Sequence, residues 1–159
     1  MNVTIIHVGD FKEKYLKEAF LEYSKRISAF GKFEDVLIKE GNLPDSPQKN
    51  QIEKVLLEEG EKILEKLDPR SKKIALCVEG NGVTSEEFAG IFTASADGGF
   101  SKITFIIGSS HGLSDTVKKA CDMKLSFSKM TFPHQLMRVI LSEQIYRAFT
   151  IINGKKYHK

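Results

Sequence analysis

Apolar and polar positions along this chain fall into blocks whose period switches repeatedly between that of a strand and that of a helix. Val3 to Val8 is a short, nearly unbroken apolar run closed by Gly9, the pattern of a buried strand. Phe11, Tyr15, Leu16, Ala19, Phe20, Tyr23, Ile27 and Phe30 follow at spacings of three and four, one stripe of an amphipathic helix that Gly31 closes. Phe33 to Ile38 predicts a second strand. Ser46-Pro47 reads as an N-cap followed by proline at the first helical position, opening a charged helix that stops at Asp68-Pro69. Gly60 is out of place in that helix.

Ile74 to Val78 predicts a third strand running into the turn Glu79-Gly80-Asn81-Gly82, and Thr84 with Glu87 forms a capping-box pattern for the next helix. Lys102 to Ile107 predicts a fourth strand, entering Gly108-Ser109-Ser110-His111-Gly112, with Ser114 capping a short helix. Leu125 to Phe127 predicts a brief fifth strand, Ser128 to Phe132 a loop, and Pro133 the start of a long last helix that ends at Asn153-Gly154. The β-α alternation, with no repeat and no linker, predicts one α/β domain over residues 1–159: a mostly parallel sheet flanked by helices. Ligands of such sheets bind beyond the carboxyl ends of strands. Three loops leave such ends in the second half, after Val78, Ile107 and Phe127, and they converge if their strands are neighbours. The last helix carries apolar residues around more than one narrow stripe (Leu136, Val139, Ile140, Leu141, Ile145, Ala148, Phe149, Ile152). Such a helix is either deep in the core or shared with a second subunit, and a homodimer is the expectation. Glu143 and Arg147, four apart, are placed to pair.

Charge changes the picture at one place only. The net charge is +3. The last five residues, Lys155-Lys156-Tyr157-His158-Lys159, hold three lysines and no acid, so the rest of the chain is formally neutral. A short basic tail with an aromatic residue either attracts phosphate and stacks on a base or is simply a solvated end. Cys77 and Cys121 sit in or beside apolar runs without metal-ligand spacing, and the four histidines are dispersed, so no metal is expected. Met1 to Gly9 lacks the pattern of a secretory leader, and no run is long enough for a membrane span, so a cytoplasmic protein without a membrane partner is expected.

Several chemistries lack their motifs. There is no phosphate-binding P-loop, no complete dinucleotide glycine fingerprint, no nucleophile elbow and no zinc-protease motif. What remains is a set of glycine-bearing turns after strands. Gly108 and Gly112 would let backbone approach a ligand closely, although the same glycines serve a plain tight turn. The loop from Ser126 to Gln135 is unusual in carrying Phe127, Met130 and Phe132, which need a pocket, a ligand, a partner or ordinary packing. His134 near a helix N-terminus is expected neutral, and His111 reads as a turn residue.

Two of these segments resemble a known family. Ile107-Gly108-Ser109-Ser110-His111-Gly112-Leu113 is similar to the glycine turn of the RlmH family of SPOUT methyltransferases. The run Leu125-Ser126-Phe127-Ser128-Lys129-Met130-Thr131-Phe132-Pro133-His134-Gln135-Leu136-Met137-Arg138 resembles that family's most distinctive stretch. Glu143 to Ala148, the closing Tyr157-His158-Lys159 and the opening Val8-Gly9 through Lys12-Glu13-Lys14-Tyr15 extend the resemblance over essentially the whole chain. It implies a SPOUT-type fold with a C-terminal trefoil knot, where residue patterning alone suggests an open doubly wound sheet. It further implies a homodimer meeting through the knot and last helix, and S-adenosylmethionine as cofactor with S-adenosylhomocysteine as product.

By position, the implied cofactor residues are Leu76, Gly108, Phe127, Ser128, Lys129, Met130, Thr131 and Phe132. The implied reaction is methylation of N3 of a pseudouridine in 23S ribosomal RNA, within the 50S subunit or the 70S ribosome. His158 is the candidate general base, and Tyr157 is the candidate to stack on or hydrogen-bond the target base. Arg138, Lys155, Lys156 and Lys159 are candidates for RNA, with Arg138 alternatively an anchor of the dimer. Two departures stand out: Ser109 replaces the glycine usual in relatives, and Asn153 an arginine frequent in them. A non-catalytic RNA-binding or ribosome-assembly factor on the same fold is the competing reading, separable by whether the cofactor binds.

Overall fold

A computed structural model describes every residue from Met1 to Lys159. Strands and helices alternate throughout: β1 (Asn2–Val8), α1 (Lys14–Ile27), β2 (Phe33–Ile38), α2 (Lys49–Lys66), β3 (Lys72–Gly82), α3 (Ser85–Asp97), β4 (Lys102–Ile107), α4 (Asp115–Ala120), β5 (Met123–Ser126) and α5 (His134–Ile152). The five strands form one sheet in the order β2-β1-β4-β3-β5. Every pairing is parallel. The expected sheet is therefore observed, and β3, β4 and β5 are neighbours, the condition on which convergence of their loops depends.

Strand alternation divides the apolar residues between two layers. On one face Val3, Ile5, Ile103, Phe105 and Ile107 meet Phe20 of α1, Phe88 and Phe92 of α3, and Leu141, Ile145 and Phe149 of α5. On the other, Ile6, Val8, Ala75 and Ile106 meet Ile63 of α2 and Val117 of α4. Helix α5 packs against both α1 and α3. That double flank accounts for its broad apolar cover: Leu141, Ile145, Ala148 and Phe149 are buried within the chain, while Leu136 and Ile152 stay exposed. The breadth of that face is thus an interior feature first. No helix is long and apolar enough to cross a membrane.

Three local expectations are corrected. The N-cap of α2 is Gln48, not Ser46: the Gln48 N–H donates to Gln51 Oε1 at 2.8 Å and ties down the helix start. Helix α1 covers only Lys14 to Ile27, yet the apolar stripe outlasts it: Phe11 packs on Phe20 at 5.4 Å and Phe30 stacks on Phe149 at 5.3 Å. Strand β3 does not end at Val78. It continues to Gly82, with a break in register in which Leu76 and Asn81 both pair with Leu125, so Cys77 to Gly80 bulge out of the ladder. Gly80 marks this close crossing rather than a turn, since a Cβ there would lie 2.6 Å from the Leu125 backbone. The Thr84–Glu87 capping box forms as expected.

Candidate functional site

The ends of β3, β4 and β5 enclose one cavity of about 640 Å³. The β3 bulge supplies Leu76, Cys77, Val78 and Glu79; the turn after β4 supplies Ile107 to Leu113; and β5 with its following loop supplies Leu125 to Ser128 and Met130 to His134. Of the eight residues marked for cofactor, Leu76, Gly108, Phe127, Ser128, Met130, Thr131 and Phe132 line it. Lys129 does not. The volume suits a small organic ligand.

Each wall has a local cause. After β4 the chain folds back on itself: Gly112 N–H donates to the Ser109 carbonyl at 2.9 Å, and Gly112 adopts φ +88°. Gly108 lies against that return so tightly that a Cβ would stand 2.1 Å from the Gly112 carbonyl oxygen. Ser109 needs no left-handed backbone, because no residue other than glycine has positive φ, so its replacement of glycine leaves the turn unstrained. The loop after β5 is held by its own side chains: Ser126 Oγ donates to the Ser128 carbonyl at 2.9 Å, and Met130 N–H donates to Ser128 Oγ at 3.0 Å. Phe127 sits edge-on to Phe88 at 6.1 Å and packs against the main core while also lining the cavity. Met130 stays 71% exposed.

Four groups that sequence reasoning left out of the site line this cavity: Glu79, Lys118, His111 and His134. Glu79 and Lys118 form an ion pair, and that bond is the main reason the Glu79 carboxyl is held below its ordinary range. The His134 imidazole is held below its ordinary range chiefly by burial, with Arg138 and Lys12 adding to it against the opposing carboxylate of Glu40. Burial likewise pushes the Cys77 thiol up, and the Cys121 thiol to about 11, so neither is a thiolate nucleophile near neutral pH.

The structure overturns one assignment. Arg138, a candidate for RNA or for anchoring the dimer, is 1% exposed. One guanidinium nitrogen donates to the Gly9 carbonyl at 2.8 Å, and the group lies 3.9 Å over the Phe11 ring. Burial pushes its pKa down to about 10. It fastens the end of β1 to α5 and has no path to a phosphate.

The tail is docked rather than frayed. Tyr157 OH donates to Glu143 Oε1 at 3.0 Å, its ring meets Tyr146 edge-on at 4.8 Å, and the Arg147 guanidinium lies 4.8 Å over it. Burial, with Tyr23 and Glu143, raises the Tyr157 phenol well above its usual range, so it stays protonated. His158 sits with Nε2 2.8 Å from Glu86 and Nδ1 3.3 Å from Arg147. The expected Glu143–Arg147 pair is present. Lys155, Lys156 and Lys159 are exposed, and Lys155 lies 4.4 Å over Phe30. Neither Tyr157 nor His158 lines the cavity of its own chain. Asn153 caps α5, its amide donating to the Phe149 carbonyl at 2.8 Å.

Comparison with known proteins gives this arrangement its family. The family described as "Predicted SPOUT methyltransferase" matches residues 1–158. The chain belongs to the SPOUT methyltransferases. It is 50% identical to the ribosomal RNA large subunit methyltransferase H of Carboxydothermus hydrogenoformans and 47% identical to that of Bacillus pumilus, each over 159 residues and the full length of both chains. A tRNA (m1G37) methyltransferase structure from Aquifex aeolicus shares the fold of this SPOUT chain with a TM-score of 0.55 at 13% identity, covering 92% of this chain and 70% of its own. A Bordetella pertussis structure titled as a probable methyltransferase has a TM-score of 0.58 at 16% identity, covering 92% and 93%.

Proposed function

We propose that this SPOUT enzyme transfers a methyl group from S-adenosylmethionine to N3 of a pseudouridine in 23S ribosomal RNA. The observation that carries the reading is the cavity at three adjacent strand ends in a chain matched end to end by ribosomal RNA large subunit methyltransferases H. The residues present fit the cofactor. Gly108, having no side chain, lets the turn after β4 fold back tightly on Gly112 at the cavity wall, and Cys77 to Gly80 leave the ladder beside it. Leu76, Gly108, Phe127, Ser128, Met130, Thr131 and Phe132 are the residues to hold it, with Lys129 assigned from the resemblance alone. Bound there, the cofactor supplies an electrophilic methyl group on a sulfonium.

The chain's own contribution is placement and proton handling. Alignment of reacting groups in a closed site is worth up to about 7–11 kcal/mol in favourable cases. The target nitrogen must lose a proton, and His158 is the assigned acceptor, with Tyr157 stacking on or hydrogen-bonding the target base and Lys155, Lys156 and Lys159 steering phosphate. Both ring nitrogens of His158 are engaged by Glu86 and Arg147 in the docked tail. The tail therefore acts after leaving this dock, or at the cavity of a second copy. We favour a homodimer in which the tail of one copy serves the other's cavity, and a trefoil knot threading the cofactor region. A body of zero formal charge suits an assembled ribosome, which supplies shape as well as phosphate.

The test is methyl transfer from labelled cofactor to intact ribosomes and to free RNA, both from cells lacking this protein. The expected result is label on one pseudouridine of 23S RNA, with ribosomes the better substrate. Absence of label on both substrates would defeat the reading.

A further inference from the structure

The cavity lining holds one carboxylate and one ammonium, and they are bonded to each other. Glu79 lies in the β3 bulge; Lys118 lies in the last turn of α4, which follows the glycine turn. The pair thus bridges two of the three walls. The Lys118 side chain is 18% exposed and that of Glu79 53% exposed, so Lys118 is largely enclosed while Glu79 faces the opening. An ion pair this accessible contributes little to folding. Helix α4 is already fastened without it, by buried Val117 and by Ser114 Oγ accepting from the Val117 N–H.

A carboxylate and an ammonium side by side match a ligand that carries both charges. An α-amino acid presents an ammonium to Glu79 and a carboxylate to Lys118, so both side chains keep an opposite charge and the cavity gains no net charge. We propose that the Glu79–Lys118 pair is the subsite for the zwitterionic amino-acid end of the cofactor. The inference rests on the S-adenosylmethionine reading. It assigns affinity to two separate places: the glycine turn and the loop after β5 take the nucleoside, and the ion pair takes the amino acid. The other ionisable groups in the lining, Cys77, His111 and His134, supply no carboxylate for an ammonium.

Isothermal titration on the full chain separates the two places. S-adenosylmethionine, S-adenosylhomocysteine and 5′-methylthioadenosine, which has the nucleoside and thioether without the amino acid, are titrated into the wild type and the E79Q and K118M variants. Each substitution is expected to weaken the two amino-acid-bearing ligands by about tenfold or more while leaving 5′-methylthioadenosine within about twofold, which also reports that the variant is folded. Equal losses for all three ligands, or no loss for any, overturn the subsite. A wild type that binds none of the three overturns the cofactor reading itself, whereas one that binds S-adenosylmethionine with unchanged variants overturns only this inference.

Discussion

Gly108 and Gly112 approach so closely that a methyl group on Gly108 would stand 2.1 Å from the Gly112 carbonyl oxygen. No side chain tolerates that distance, so Gly108→Ala must open the turn. Overpacking of this kind costs about 1–3 kcal/mol. S-adenosylmethionine affinity, read by titration calorimetry, is expected to fall at least about tenfold, with a smaller loss in thermal stability. Unchanged affinity would show that the turn does not shape the cavity.

Gly60 offers a test with an inverted sign. In a free helix, replacing glycine by alanine stabilises by about 1 kcal/mol. Here a Cβ on Gly60 would lie 2.5 Å from Ser114 Oγ, the oxygen that caps α4. Gly60→Ala is therefore expected to lower the melting temperature, and Gly60→Ala combined with Ser114→Gly to recover part of the loss.

Arg138 is a fold residue, so its removal should act on stability before activity. Arg138→Met deletes a hydrogen bond from a charged donor to Gly9 and a cation–π contact with Phe11. The hydrogen bond alone is worth about 1.5–3 kcal/mol. Urea denaturation should show a loss of that order, and a variant as stable as the wild type would argue against the role.

His134 predicts an acid limb in the stability curve. Its pKa lies below the ordinary 6.5, chiefly through burial. The unfolded chain therefore takes up a proton that the folded chain resists. This contribution is complete above about pH 6.5 and is lost as pH falls from there through the folded-state pKa. Melting temperatures between about pH 7.5 and pH 5 should drop more steeply in the wild type than in His134→Asn.

The tail separates docking from chemistry. Tyr157→Phe removes the 3.0 Å bond to Glu143 and should cost about 0.5–1.5 kcal/mol of stability. His158→Ala should lower turnover on ribosomes by about 100-fold or more while leaving cofactor affinity intact. Full turnover at saturating substrate would remove His158 from the base role.

Much of the fold was legible because its signals are local. The strand-helix alternation, the Thr84–Glu87 cap and the glycine turn after Ile107 are each written within a few residues, and the periodicities that encode them need no knowledge of neighbours. The site was legible to the same depth: the segments around Leu76, Gly108 and Phe127–Phe132 do share a cavity. Glu79, Lys118, His111 and His134 went unassigned because nothing in their spacing says that they face it.

By itself, the sequence determined the period of every element and the positions where backbone must come close, since both follow from side-chain shape and the freedom of glycine. Tertiary structure alone decided which strands became neighbours, that Glu79-Gly80 bulges instead of turning, that the tail folds onto Glu86 and Glu143, and that Arg138 lies inside. The physical reason is range. Arg138 is neutral to the pattern around it, and only the carbonyl of Gly9, 129 positions away, makes its burial possible.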